Sequence, residues 1–302
     1  MNNHFEKNQR HAVMYGAAAV LLWSTVATAF KITLNYLTPI QMVFGASIAS
    51  AVALGIVAGV QKKLPLLWGH LKQRPLLYLS LGLINPLIYY LVLFKAYELL
   101  PGSLAQPLNY SWAIALTLLS GPFLKQTIHG RDWLACAIGY LGVVIIATQG
   151  NILALEITSP LGVGLALLST LLWASYWIIN TRNSGDPVVS LLLTFLLSLP
   201  FSLALCLYTD GLPPFHWPAI FAVSYVGLFE MGITFVLWLM AMKKATNTSR
   251  ISNLIFISPF ISLVLLATVI GETIHPATLV GLILIVCGLI IQNRRSTSAV
   301  KE

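Results

Sequence analysis

The sequence predicts an all-α polytopic membrane protein with ten transmembrane helices in two inverted five-helix repeats. Three observations predict it: the composition, the placement of Lys and Arg, and an internal repeat. Hydrophobic residues make up 58% of the 302 residues and charged residues only 9%, whereas soluble domains carry about 25% charged residues. A mean hydropathy of +0.84 therefore excludes a large soluble domain.

The first half of the chain contains five apolar runs, each near the length of about 20 residues that a membrane-spanning helix needs. Turn-forming residues separate them: Pro39, Pro75 and Pro101 stand where the second, third and fourth runs begin, and Gly130 precedes the fifth. Helices are expected because backbone that faces lipid must satisfy its own hydrogen bonds. The predicted spans are 12–30, 39–60, 75–96, 103–122 and 131–149.

The second half contains five further runs with the same kind of punctuation. Pro160 and Pro187 open the first two, Pro213-Pro214 precedes the third, and His275-Pro276 opens the last. The predicted spans are 160–180, 187–209, 217–242, 249–270 and 275–292.

Basic residues fall at the chain ends and in every second loop between these spans. Only Lys31 and Lys95 lie on the other side, together with Glu98, Asp210 and Glu272. Because cytoplasmic loops retain Lys and Arg, both termini are expected in the cytoplasm, in a multi-pass protein of a bacterial inner membrane. The net charge of +8 is spread over short segments, which argues against nucleic acid as a partner.

Short matches between the halves indicate the repeat. Leu21-Leu22-Trp23-Ser24 recurs as Leu171-Leu172-Trp173-Ala174, and Thr127-Ile128 recurs as Thr273-Ile274. We place the two repeats at residues 1–155 and 156–302. Five spans per copy is an odd number, so the second copy must be inverted relative to the first. Inverted repeats are typical of secondary transporters, which bind their solute near the bilayer midplane between the copies.

The stretch from Ala241 to Ile291 resembles the second repeat of the drug/metabolite transporter superfamily, EamA type. It contains Asn253-Leu254-Ile255-Phe256-Ile257-Ser258-Pro259 and then Gly271-Glu272. The first copy departs from the pattern, with Ala113 in place of Pro and Gln126 opposite Glu272. The resemblance, over residues 12–292, implies ATP-independent transport of a small metabolite, often an amino acid, and favours export.

Polar groups inside spans are costly, and Glu230 near the middle of the eighth span is the most informative. At the corresponding place in the first copy stands Asn85. A carboxyl at this depth is neutral unless it is paired. Glu230 is therefore a candidate proton-coupling residue or a ligand for an ammonium group; the alternative is a protonated Glu bonded to a neighbouring helix.

Other candidate substrate-binding residues fall on helical faces. Trp173, Tyr176 and Trp177 share a face of the sixth span, where they form either a cavity wall or an interfacial belt. The fourth and ninth spans carry polar stripes that could bind a substrate or join helices. The remaining candidates are Trp23, Tyr89, Gln106, Asn109, Tyr110, Trp238, Ser252 and Asn253.

These residues predict a secondary transporter that works by alternating access, with a small-molecule substrate, the lipid bilayer as its surroundings, and a monomeric or homodimeric state. No cofactor and no metal site are expected, because the sequence has no Walker motif and no HExxH, and its three cysteines lie in apolar runs. A lipid scramblase or a sugar or nucleotide-sugar permease of the same fold remains an alternative, and a membrane enzyme is the competing class. Uniport and exchange are as compatible with the residues as proton coupling.

Overall fold

Helices account for all regular structure in the described part of the chain, which confirms the all-α prediction. The computed structural model describes residues 7–151, 157 and 159–296, with the backbone alone for residues 249 and 293–296. The predicted boundary between residues 155 and 156 lies outside the described residues and stays a prediction.

The first half folds into eight helices, several of which are halves of one predicted span. Their bounds are α1 (Gln9–Leu34), α2 (Pro39–Val60), α3 (Leu66–Gln73), α4 (Pro75–Gly82), α5 (Tyr89–Leu99), α6 (Gly102–Tyr110), α7 (Trp112–Leu124) and α8 (Gly130–Ala147). A π-helical turn, Leu83–Ile88, joins α4 to α5. The short helix α3, in the loop after α2, was not predicted.

The second half contains α9 (Pro160–Asn180), α10 (Pro187–Thr209), α11 (Trp217–Val226), α12 (Ile233–Lys244), α13 (Thr248–Ser252), α14 (Ser258–Leu265) and α15 (Pro276–Ser296). The π-helical turn Gly227–Gly232 joins α11 to α12, and a 3₁₀ turn, Asn253–Ile257, joins α13 to α14.

Eight segments among the described residues are long and apolar enough to cross a membrane. The predicted tenth span is present, but its apolar part, Pro276–Gln292, is shorter than these. The predicted fourth span is interrupted at Ser111, whose hydroxyl bonds the carbonyl oxygen of Leu108 at 2.7 Å and so competes with regular helical bonding.

Proline and a capping side chain set where several helices begin. Thr38 and Gln41 form a capping box at the start of α2, and Ser159 accepts the N–H of Gly162 at 3.2 Å at the start of α9. Asp186 accepts the N–H groups of Val188 and Val189 at the start of α10. These side chains satisfy N–H groups that have no partner within the helix.

Helix packing repeats between the two halves. α1 packs on α12 as α9 packs on α5, while α2 packs on α10 and α8 on α15. Gly82 and Gly227 occupy equivalent places in the two halves. A Cβ on Gly82 would lie 2.6 Å from the Thr194 carbonyl oxygen, and one on Gly227 would lie 2.4 Å from that of Ala46. Both glycines thus allow a broken helix to approach the opposite half closely.

The breaks between α4 and α5 and between α11 and α12 also fall at equivalent positions. Asn85 leaves helical geometry at φ −138°, ψ 114° in the first break, and Gly232 does so at φ −114°, ψ −94° in the second. Asn85 and Glu230 lie in these two breaks. Discontinuous helices at corresponding places in two repeats are the feature that marks binding sites in transporters of this architecture.

Candidate functional site

A cavity of about 400 Å³ opens between α9, α10 and α12. Tyr176, Trp177, Phe235 and Trp238 supply aromatic surface, while amide and hydroxyl groups lie toward its mouth at the ends of α9 and α10; these are Asn180, Asn183 and Ser190. The volume lies within the range of about 300–1,000 Å³ that is usual for small-molecule sites. The lining is therefore mostly apolar, with a few neutral polar groups.

The mouth of the cavity lies at the end of the bundle that carries most of the basic loops, which we call the basic end. Lys63 forms a 2.6 Å ion pair with Asp186 beside the start of α10, and Met242, next to Lys243, lines the same cavity. The loop after α2, the loop before α10 and the end of α12 thus lie at the same end of the bundle, as the charge pattern predicts. Burial opposes the charge on Asp186, but bonds from Lys63 and from Val189 and Val188 outweigh it and hold the pKa of this carboxyl below its ordinary value.

An aromatic cluster continues inward from the cavity. Trp173 stacks on Tyr176 at 5.4 Å and on Tyr89 at 4.7 Å between ring centroids. On the opposite wall, Trp23 lies 5.5 Å from both Phe235 and Trp238. Tyr176, Phe235 and Trp238 belong to both the cluster and the cavity, so the two form one continuous site. The four predicted Trp and Tyr positions on α1 and α9, including Trp177, all lie in it.

Glu230 lies against this cluster, in the break between α11 and α12. The Tyr90 hydroxyl donates a hydrogen bond to Glu230 Oε1 at 3.1 Å, and Trp23 Nε1 donates to the Glu230 backbone oxygen at 3.4 Å. No salt bridge involves Glu230 in the described part of the chain. Its side chain is partly exposed and lies beside the aromatic cluster, next to the cavity and not in its lining.

Asn85 completes the polar part of the site from the opposite break. It is 3% exposed, and its Oδ1 has no hydrogen-bond partner among the described groups. An unpaired buried carbonyl oxygen costs about 1–3 kcal/mol. A donor group on a bound solute would remove that cost.

The predicted polar stripes lie elsewhere. Asn109 donates to Ser169 at 2.9 Å and to Tyr89 at 3.5 Å, so it joins α6 to α9 and α5. Tyr110 is the last residue of α6. Ser252 bonds the Thr248 carbonyl oxygen, and Asn253 is exposed. Gln106 is buried on α6, with its Oε1 unpartnered.

Sequence reasoning missed Tyr90 and Phe235. It selected Tyr89 because regular helical spacing places that residue on the face of Asn85. The π-helical turn with Pro86 inside it shifts the register, so Tyr90 is the residue that bonds Glu230. Phe235 occupies the place in the second copy that Tyr90 has in the first, which is the signal that could have found it.

The equivalent region at the other end of the bundle is filled. Phe30 lies 4.8 Å from Phe94 and 5.1 Å from Tyr97; by the repeat these three correspond to Asn180, Leu239 and Met242, which line the cavity. Phe30, Phe94 and Tyr97 are at most 3% exposed. The bundle is thus open at the basic end and closed at the opposite end.

Comparisons with known proteins agree with this architecture. The EamA-like transporter family model matches residues 10–148 and 160–294. The chain is 23% identical to the uncharacterized transporter YvbV of Bacillus subtilis over 93% of this chain and 90% of that protein. It is 25% identical to the aromatic amino acid exporter YddG of Ancylobacter novellus over 93% and 94%, and 25% identical to protein PecM of Dickeya dadantii over 90% and 89%.

A solved crystal structure shares the fold, with a TM-score of 0.62 and 23% identity over 95% of this chain and 99% of that one. The family model covers most of the chain, in two successive matches of similar length. The helical segments, their breaks and their packing fit a multi-pass membrane transporter. The chain belongs to the EamA-like transporter family.

Proposed function

We propose that this protein exports a small amino-acid-like solute with an aromatic or large apolar side chain, by alternating access across the inner membrane. The basic end faces the cytoplasm, as expected from the placement of Lys and Arg. The solute enters the cavity from that side. The two repeats then rock about the site and open the opposite end.

The observation that carries the proposal is the difference between two equivalent regions. At the basic end, Asn180, Leu239 and Met242 surround open space, whereas Phe30, Phe94 and Tyr97 fill the corresponding space at the other end. Because the two repeats share one fold, each can adopt the packing that the other has here, so that the open end closes and the closed end opens. This is what alternating access requires, and it gives an inward-open state here.

The chemistry of the site selects the solute. Tyr176, Phe235 and Trp238 provide faces for an aromatic ring or a branched side chain. Glu230 and the unpartnered Oδ1 of Asn85 provide acceptors for an ammonium group. The existence of an aromatic amino acid exporter among the relatives supports the same class of solute and the same direction.

Glu230 is also the candidate that couples transport to protons. Its Oε2 can carry a proton when no solute is bound and release it when an ammonium group takes its place. A competition of this kind makes solute and proton move in opposite directions. A glutamine at position 230 cannot take up or release a proton, so coupling would be lost with it.

Proteoliposomes loaded with radiolabelled solutes test the proposal. We expect efflux of aromatic and branched-chain amino acids and of the corresponding aromatic amines, and no efflux of sugars. Efflux of sugars without amines, or of none of the panel, would contradict it.

Glu230→Gln tests the coupling step at several external pH values. We expect the variant to lose the pH dependence and most of the transport of amines. Glu98→Gln is the matched control, because Glu98 is exposed and pairs with Lys95 at the surface. Equal activity and equal pH response in wild type and Glu230→Gln would remove Glu230 from the mechanism.

A further inference from the structure

The closed end of the bundle is held at the turn between α5 and α6. Both oxygens of the Glu272 carboxylate accept backbone hydrogen bonds there, from Gly102 N–H and from Ser103 N–H, each at 2.8 Å. These are the first N–H groups of α6, which have no partner within the helix. A carboxylate at a helix N-terminus is also favoured by the helix dipole.

Lys31 holds the other side of the same turn. Its Nζ donates to the carbonyl oxygens of Tyr97 at 3.0 Å and Leu100 at 3.2 Å, at the C-terminal end of α5. A cation at these carbonyl oxygens again complements the helix dipole. We call Lys31 and Glu272 together the clasp. Hydrogen bonds to charged groups are roughly twice as strong as those between neutral groups.

The clasp lies directly over the packing that closes this end. Phe30 is adjacent to Lys31 in the chain and packs on Phe94 and Tyr97 of α5. Lys31 and Phe30 lie on α1, and Glu272 lies in the segment before α15. The α5–α6 turn cannot move away from both without breaking the clasp bonds and the Phe30 contacts. Opening of this end therefore requires release of the clasp.

Three unpartnered oxygens lie along the seam that would open. Thr28 Oγ1, Gln106 Oε1 and Ser262 Oγ are buried without hydrogen-bond partners among the described groups. They lie on α1, α6 and α14, which pack on one another. Thr28 and Ser262 stand one helical turn beyond Ser24 and Ser258, whose hydroxyl groups are 3.1 Å apart. Water would satisfy all three oxygens once the seam opened, so the closed seam needs the clasp to offset their cost.

At the two positions that the repeat pairs with Lys31 and Glu272, the basic end carries neutral side chains. The repeat places Thr181 opposite Lys31 and Gln126 opposite Glu272. Thr181 bonds its own helix at Ile178, and Gln126 is exposed. The charged bonds therefore favour one of the two packings over the other.

We propose that Lys31 and Glu272 are positioning residues that set the resting equilibrium toward the inward-open state and must release the α5–α6 turn in each transport cycle. The inference rests on the alternating access of the proposed function. It concerns the conformational equilibrium, which can be measured without any substrate.

Two cysteine reporters measure this equilibrium in a protein whose Cys136, Cys206 and Cys287 have been replaced by Ala. Thr28→Cys lies in the closed seam and Asn180→Cys in the open cavity. Their rates of alkylation by a maleimide report the opening of the two ends. We expect Glu272→Gln to raise the Thr28→Cys rate about tenfold, equivalent to about 1.4 kcal/mol, and to lower the Asn180→Cys rate.

Further variants keep the test decisive. Lys31→Met should act like Glu272→Gln, Lys31→Arg should restore the wild-type rates, and Glu98→Gln, the same chemical change at the surface of the same end, should alter neither reporter. A rise of both reporters would mean general loosening and would overturn the proposal, as would unchanged rates in Glu272→Gln and Lys31→Met. Because no transport is measured, an error in the assigned substrate leaves this result interpretable.

Discussion

Gly227 is the first residue of the break that carries Glu230. Replacing it by Ala sets the intrinsic helical preference of Ala against the steric overlap of its Cβ with α2. Its backbone is right-handed helical, at φ −60° and ψ −42°. Ala is therefore allowed there by conformation and is favoured over Gly by about 1 kcal/mol in a helix. Against this, the new Cβ would lie 2.4 Å from the Ala46 carbonyl oxygen and 2.7 Å from the Ala49 Cβ.

The overlap involves backbone, so α2 and the break must move apart. Such overpacking costs about 1–3 kcal/mol, more than the helical preference returns. We expect Gly227→Ala to lower the thermal unfolding midpoint in detergent by several degrees, at about 2–4 °C per kcal/mol, and to reduce transport because Glu230 and Tyr90 separate.

Gly55→Ala is the matched control, since Gly55 lies within α2 and a Cβ there would meet nothing within 4 Å. It should leave the midpoint unchanged or raise it slightly. If Gly227→Ala were as stable as Gly55→Ala, the close approach of the two halves at this position would be refuted.

Two further predictions concern charges at the basic end. Folding lowers the pKa of Asp186, so the contribution of this carboxylate to stability is complete above the ordinary Asp pKa of about 3.9 and is lost as pH falls through the lowered pKa. Asp186→Asn should therefore lower the thermal unfolding midpoint at neutral pH and flatten the decline of that midpoint in acid. An equal decline in acid for wild type and variant would contradict this. Gln126→Glu adds a carboxylate where the repeat places the equivalent of Glu272. It should stabilise the state that is closed at the basic end and so raise the alkylation rate of Thr28→Cys. A lower rate would contradict the role of the clasp.

Local sequence signals predicted much of the fold because they depend on neighbouring residues. Apolar runs of about 20 residues and the prolines between them placed most of the helices within a few residues of their bounds. The depth of Glu230 and the pairing of Trp23 with Trp173 came from the same runs and the repeat. The structure brings these three residues, with Tyr176, into one site.

The sequence could not place the features that depend on packing between distant helices. Polar residues on α6 and in the 3₁₀ turn after α13 have the same spacing as site residues, yet Asn109 joins helices and Asn253 lies at the surface. Nothing in the spacing distinguishes a side chain that faces a cavity from one that faces a neighbouring helix. That difference depends on which helix lies opposite.

By itself, then, the sequence determined that the chain is an all-helical membrane protein, because the hydrocarbon interior selects apolar runs whose backbone bonds itself. Only the tertiary structure decided which end is open, that Tyr90 and not Tyr89 bonds Glu230, and that Glu272 holds the start of α6, 170 residues away. These are contacts between segments far apart in the chain. Their geometry is fixed by close packing at positions such as Gly82 and Gly227, which local patterns do not record.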